Sequence, residues 1–466
     1  MERTAVVVAV EAPAPPSSTD CDWTELPADI LVRIFGTLQI PDLFSSGGVC
    51  CSWRRSHLEA RRFRLCSPHQ GPCLVYSVAD RDDSTATLHH LTMDKLCHVA
   101  IPGPAFRSRY VMGSSHGWLI TADDRSHLIL VNPITGAQVA MPPPESMHNI
   151  KLRYDEEDRK LDGYCLIYPY GLSLEQGRFC FYMIVAMSCD PSSKNCVVVH
   201  VHKPQNLLSY ARVGDTKWTW SYVYVCYNNG DGLFYALRGC GDVHTIDLCG
   251  QYPLVNIVYK HKADYDTESK YIVQASWGDF FQIWRWDLYL EDDEEVVEDN
   301  NDNDVDEGVE ELVEREEDED QVEEVAQNAD VLVEVDNADV LVEERNMEDG
   351  DEKERVTARF VVYKIDFVKQ KLTKVHNLKD HTLFTGFNTS FLVLAKDFPA
   401  LIPNSIYHTD DLNHNTSSKR FSDRRALIDK GLRQVFIFNM EDCSFTNILA
   451  PHSSRLNWPP PVWFLL

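Results

Sequence analysis

Apolar residues recur along this chain at two different periods, and the change between them falls near residue 70. Before it the spacing is helical. Ile30, Leu31, Ile34, Phe35 and Leu38 return every three or four positions, a wide stripe along a helix. Pro27 stands near the first helical position, where a missing N–H costs nothing. Pro41 opens a second short helix carrying Leu43 and Phe44, and Gly47-Gly48 breaks it. Val49, Cys50 and Trp53 mark a third, expected to end at Arg54-Arg55. From Cys73 onward the period is two. Short runs rich in Val, Ile, Phe, Tyr and Trp alternate with Gly, Asn, Asp and Pro turns, as in Leu74–Val78, Trp118–Thr121, Leu128–Val131, Phe179–Ala186, Val197–Val201, Tyr222–Val225, Phe280–Trp284 and Phe360–Ile365. No helix-length pattern separates these runs. An all-β sandwich, barrel or propeller is therefore expected, and parallel βαβ units are not.

A degenerate repeat favours the propeller. Six times a strand ends in an apolar–polar–apolar step followed by a turn, with His90, Asn132, His202, Asp247, Asp366 and Asn439 as the polar residues. Small-residue–aromatic steps such as Gly117-Trp118, Gly278-Asp279-Phe280 and Ser390-Phe391 precede several of them. Six units spread over residues 73–466, leaving out an acidic stretch at 291–355, give about 55 residues each, near the length of a kelch-type blade.

Charge sharpens the organisation. The formal net charge is −28. Residues 291–355 hold 32 acidic and four basic residues, which leaves 40 of each sign elsewhere. The acidic segment has no Phe, Trp or Tyr and is expected to be disordered, an insertion between neighbouring strands of one blade. It contains a duplication nine residues apart: Asn328 to Glu334 recurs at Asn337 to Glu343. The balanced remainder offers no basic surplus for nucleic acid. No run of 18 apolar residues marks a membrane span. Residues 1–20 read as a disordered leader, because the apolar run at Ala5 to Val10 stops at Glu11 and prolines follow. The 14 cysteines form no Cys-x-x-Cys pair and often lie in apolar runs, which fits reduced thiols in the cytoplasm or nucleus.

Few residues suggest catalysis or cofactor binding. Gly113-Ser114-Ser115-His116-Gly117 fits G-x-S-x-G, but that nucleophile elbow needs a helix after it, and Trp118-Leu119-Ile120-Thr121 continues as a strand. His200 and His202 share a strand face without a third ligand at useful spacing. Gly239-x-Gly241 lacks the third glycine and helix of a dinucleotide site. The sequons at Asn388 and Asn415 mean little without an export signal. Trp218-x-Trp220 and Trp284-x-Trp286 read as core or rim aromatics, either pair able to line a recognition surface. No catalytic residue, metal or cofactor is expected.

The first helices are too short to bury their own Leu, Ile and Trp. Their leftover apolar face packs either on the rest of the chain or on another protein. Trp23-x-x-Leu26-Pro27, Ile34-Phe35, Leu38, Pro41-x-Leu43 and Val49-Cys50-x-x-Trp53 closely resemble the F-box. Gly113 to Leu119, Val131-Asn132-Pro133 with Gly136, Phe384 to Pro399, Ser405-Ile406-Tyr407 with Thr409-Asp410-Asp411, and Trp458 to Trp463 resemble the plant F-box proteins that carry a KIB-type β-propeller. The resemblance implies an F-box at 21–66 followed by one propeller at 73–466, six-bladed by the repeat count. It implies docking on the Skp-type adaptor of a cullin-RING ubiquitin ligase through Leu26, Pro27, Ile30, Leu31, Ile34, Pro41, Leu43, Val49 and Trp53. The propeller is then expected to hold an unknown target protein. Two other readings stay open: an adaptor-bound scaffold without a degradation target, and a propeller-type hydrolase or carbohydrate binder. The propeller is expected to fold without the helices.

Overall fold

The computed structural model describes residues 23–67, 69–155, 159–166, 171–202, 207–222, 226–228, 230–238, 240–248, 253–261, 269–289, 355–386, 390–409, 411, 435–448 and 458–466. The leader, nearly all of the acidic segment with its duplication, and Asn388 and Asn415 lie outside these residues. The chain divides into two compact units, one of Met1–Trp286 with Arg359–Leu466, the other of Asp287–Ala358.

Three helices open the chain: α1 (Ala28–Phe35), α2 (Ile40–Ser46) and α3 (Cys51–Arg62). Pro27 occupies the N-cap of α1, Pro41 lies in the first turn of α2, and Gly47 ends α2. The third helix does not stop at Arg54-Arg55. It continues through Arg62, because Ser56, His57 and Ala60 form a buried face and no breaker intervenes until Arg64 at φ 54°.

The remainder is built almost entirely of strands. Seven sheets form among the described residues, whereas the repeat marks six units. Six of the sheets have four or five strands, and each carries one marked polar step. Sheet two is representative: Tyr110–Ser115, Trp118–Ala122, Leu128–Val131 and Gln138–Ala140 run antiparallel in chain order. One edge strand of each of these successive large sheets lies against that of the next, Tyr110–Ser115 next to Ile184–Met187, then Cys226–Asn228, Ser269–Gln274 and Phe391–Leu394. The seventh sheet is a three-stranded one, Ile150–Tyr154, Leu161–Leu166 and Gly171–Ser173, with no such step. It leads into a fourth helix, α4 (Leu174–Phe181). That helix corrects the strand expected at Phe179–Ala186; the observed strand is Ile184–Met187 and begins only after the helix. A capping box decides it: Ser173 Oγ accepts from Gln176 N while the Gln176 side chain accepts from Ser173 N.

Three of the six polar steps share a local cause. Asn132 Oδ1 accepts from the backbone N–H of Ile134 (3.0 Å) and Thr135 (2.9 Å). Asp366 Oδ1 does the same for Val368 and Lys369, and Asn439 Oδ1 for Glu441. Each side chain thus stands in for a backbone acceptor and starts the hairpin to the next strand.

The last strand, Val462–Phe464, does not join the final sheet. It pairs with the first strand, Cys73–Tyr76, with Leu74 opposite Trp463. Ser114 Oγ donates to Trp463 O (2.7 Å), and the fully buried indole donates to Thr385 O (3.0 Å). The first sheet therefore holds both ends of the propeller chain.

Candidate adaptor-binding face

Leu31, Phe35, Leu43 and Ala60 are fully buried and form the centre of the three-helix unit. Leu26, Leu38, Trp53 and Cys66 pack around them half-buried. The Trp53 ring meets Phe35 edge-on at 5.4 Å, and its Nε1 donates to Trp23 O (2.9 Å). Inside this core the His57 Nδ1–H donates to Leu43 O (2.8 Å), and burial lowers the imidazole pKa below its ordinary value. Gly47 lies so close to that ring that an added Cβ would sit 2.9 Å from it.

The nine residues of the expected adaptor face therefore divide three ways. Leu31, Pro41 and Leu43 are buried and serve the chain's own packing. Leu26 and Trp53 are half-buried. Pro27, Ile30, Ile34 and Val49 are open to solvent, Ile30 and Ile34 at 38 % and Val49 at 55 % of their surface. Ile30 and Ile34 are four apart on α1 and so share one face. Trp23, 64 % exposed, belongs with them by position, since it caps the Trp53 edge. It stands in the motif itself, yet no periodicity marks it.

The opposite side of the helices is covered by the propeller. Ile40 and Phe44 of α2 enter the apolar cluster of Val75, Leu88, Val99 and Val462 in the first sheet. Gln70 Oε1 accepts from Ile40 N (2.9 Å), and His90 Nε2 donates to Gln39 Oε1 (3.2 Å). Lys95 pairs with Asp42 (2.8 Å). From α3, Arg61 stacks over Phe44 at 4.5 Å and donates to Ile134 O (2.6 Å). Just beyond, Arg64 pairs with Asp190 and donates to His116 O (3.2 Å). The spans 21–66 and 73–466 are thus joined by a continuous packed contact, not separated by a bare linker. None of these docking residues was legible as such, because each partner is remote in sequence.

The other motifs resolve into strand chemistry. Ser115 ends a strand and Trp118 begins the next, with His116 and Gly117 at φ 50° and 73° forming the two-residue hairpin turn. Ser115 thus sits in a β-hairpin instead of a strand-to-helix elbow. His200 and His202 are buried, but the first donates from Nδ1 to Phe181 O (2.7 Å) and the second bonds Ser209 Oγ through Nε2 (3.0 Å). Trp284 and Trp286 are half-buried beside Tyr363, with Lys270 and Arg359 over their rings. Among the described residues no helix is long and apolar enough to cross a membrane.

Comparison with known proteins agrees with this architecture. The F-box-like family model matches residues 23–58, which cover the three helices up to the middle of α3. The KIB1-4 beta-propeller model matches residues 87–439. Three relatives from Arabidopsis thaliana are similar at low identity. A probable F-box protein is 23 % identical over 54 % of this chain and 62 % of its own length. F-box only protein 7 is 22 % identical over 52 % and 61 %, and an F-box/kelch-repeat protein 25 % identical over 48 % and 56 %. The chain thus spans less than two thirds of the length of each of these relatives. The propeller match alone covers well over half of the chain, which belongs to the KIB1-4 beta-propeller family and carries an F-box-like domain ahead of the propeller.

Proposed function

We propose that the protein is the substrate-recognition subunit of an Skp–cullin–F-box ubiquitin ligase. In this reading it performs no bond chemistry of its own. It holds a target protein near a charged ubiquitin-conjugating enzyme, and the gain is one of proximity. The observation that carries the reading is the two-sidedness of the F-box helices. One side is covered by the propeller through Ile40 and Phe44, while Pro27, Ile30, Ile34 and Val49 stay open on the other. An apolar set left exposed beside a well-packed core is what a partner protein buries. Leu26 and Trp53 border that set, and Leu31, Pro41 and Leu43 support it from beneath. The names of the F-box relatives point to the same class of partner. The target is a protein bound by the propeller loops, which vary on a rigid scaffold.

Co-purification with an Skp-type adaptor tests the reading. Replacing Ile30→Asp together with Ile34→Asp is expected to reduce adaptor recovery more than about thirtyfold, the loss for anchors worth ~2 kcal/mol or more. The melting curve should shift only modestly, because both residues lie outside the buried core of the helices. Adaptor binding within twofold of the unaltered protein would remove the assignment. Recovery of the adaptor and a cullin without prey that accumulates under proteasome inhibition would favour a scaffold.

A further inference from the structure

The hairpin joining Ile184–Met187 to Val197–His202 carries a cysteine on each arm. The strands pair antiparallel with Met187 opposite Val198, and Ser188 N donates to Val197 O (3.0 Å) as the last ladder bond. Beyond that bond the chain bends, and Cys189 and Cys196 flank the hairpin end at the positions the register would pair next. Val197 N turns to Ser188 Oγ (2.9 Å), which closes the ladder; at a non-hydrogen-bonded step of a regular ladder, opposing Cα atoms come within about 4.5 Å. That separation lies at the near end of the range a disulfide spans, about 4.4–6.8 Å. The Cys196 thiol already points back across the hairpin, donating to Cys189 O at 3.0 Å.

The two thiols differ in surroundings. Cys189 is half-buried at the hairpin end, with Ser188 Oγ 3.9 Å from its sulfur. Cys196 is fully buried in the largest apolar cluster, and burial pushes its pKa up to about 12. The order of events follows from access. A peroxide reaches Cys189 first, and Cys196 waits beneath it.

We infer that Cys189 and Cys196 are a peroxide-responsive pair that closes into an intramolecular disulfide across this hairpin. In the first step the Cys189 sulfur attacks one oxygen of hydrogen peroxide; the O–O bond breaks, the thiol becomes a sulfenic acid, and water leaves. In the second, the Cys196 sulfur attacks the Cys189 sulfur, the S–OH bond breaks, and the hydroxyl departs as a second water with the Cys196 proton. Two thiols are oxidised by two electrons and one peroxide is reduced. The hairpin's position gives the bond a consequence. Asp190, next to Cys189, accepts from Trp118 Nε1 (3.0 Å) and pairs with Arg64 at the base of the F-box helices. A bridged hairpin fixes the loop that holds both.

The test uses the full chain. Lys194 is exposed and lies between the two cysteines, so tryptic cleavage there leaves two peptides held together only by a disulfide. After brief treatment with hydrogen peroxide and alkylation of the remaining thiols, mass spectrometry without reductant is expected to recover those peptides as one species, lighter by two hydrogens than their sum. Dithiothreitol should separate them. Cys196→Ser should abolish the joined species and leave Cys189 as a sulfenic acid that dimedone captures; Cys189→Ser should abolish it with no dimedone adduct at Cys196. Recovery of both cysteines alkylated, of Cys189 over-oxidised with Cys196 still a thiol, or of Cys189 joined to any other cysteine would overturn the inference.

Discussion

Arg64 and Trp118 share one carboxylate, that of Asp190. The guanidinium pairs with one oxygen while the indole N–H donates to the other at 3.0 Å. Arg64 follows the last F-box helix, Trp118 is a buried residue of the second sheet, and Asp190 tips a hairpin of the third. The three sites meet where helices and propeller join, and the two donors stand to lose unequally. Asp190→Ala leaves the Trp118 N–H, on a side chain only 2 % exposed, without its acceptor, which costs about 1–3 kcal/mol. Arg64→Ala removes a pair whose side chains are about a third exposed, so solvent screening reduces the loss to about 0.5–1 kcal/mol. Denaturant titration of both variants and the double variant is expected to show that order, with the Asp190 variant the less stable.

Leu31 and Ile30 are adjacent in sequence and face opposite tasks. Leu31→Ala empties a fully buried site and should destabilise the helical unit by about 2–5 kcal/mol, lowering adaptor recovery only through loss of folded protein. Ile30→Ala should leave the denaturation midpoint nearly unchanged and weaken adaptor binding directly. Midpoints and adaptor affinities measured on the same samples separate the two effects. A stable Leu31→Ala variant would remove that residue from the core.

His90 links the first sheet to the helices and should make the junction sensitive to acid. Burial lowers its pKa to about 4, and its ring bonds Gln39 Oε1 and Thr92 Oγ1. The unfolded chain takes up this proton near pH 6.5, well above the folded protein. The stabilisation is therefore complete above about pH 6.5 and is lost as the pH falls toward 4, a change on the order of 1–3 kcal/mol. His90→Gln, which cannot be charged, should flatten that part of the stability-against-pH curve relative to the unaltered protein. An unchanged slope would mean that other groups carry the acid response.

Trp463 should be among the most costly side chains to remove. It is fully buried, its ring stands 5.1 Å from Phe384 of the last sheet, and its strand pairs with Cys73–Tyr76 of the first. Trp463→Ala is expected to cost about 3–5 kcal/mol. A chain lacking residues 462–466 should in addition expose the edge of Cys73–Tyr76 and aggregate, seen by light scattering during thermal melting.

How far the sequence carried this description depends on the reach of each contact. The period change near residue 70, the Pro and Gly boundaries of α1 and α2, and the polar residues that start the hairpins are local devices, and each stands in the structure where its spacing puts it. The inward and outward halves of the α1 stripe were not separable. Leu31 and Phe35 enter the core while Ile30 and Ile34 do not, yet all four fit one wide apolar face. The docking side was hidden for a similar reason, since Ile40 and Phe44 look like ordinary helix residues until Val75, Leu88 and Val462 are brought beside them. At α4, composition argued for a strand and the capping box at Ser173 won.

The position of Val462–Phe464 also orders events in time. The F-box helices rest on the first sheet, and that sheet receives this strand only after residue 462 has been synthesised. At usual elongation rates the strands Cys73–Tyr76, Thr85–His90 and Lys95–Ala100 precede it by tens of seconds. During that interval the platform beneath the helices has a bare inner edge. The first sheet therefore gains its last strand late, and a ribosome that stalls before residue 462 leaves a nascent chain whose F-box helices rest on an unfinished sheet.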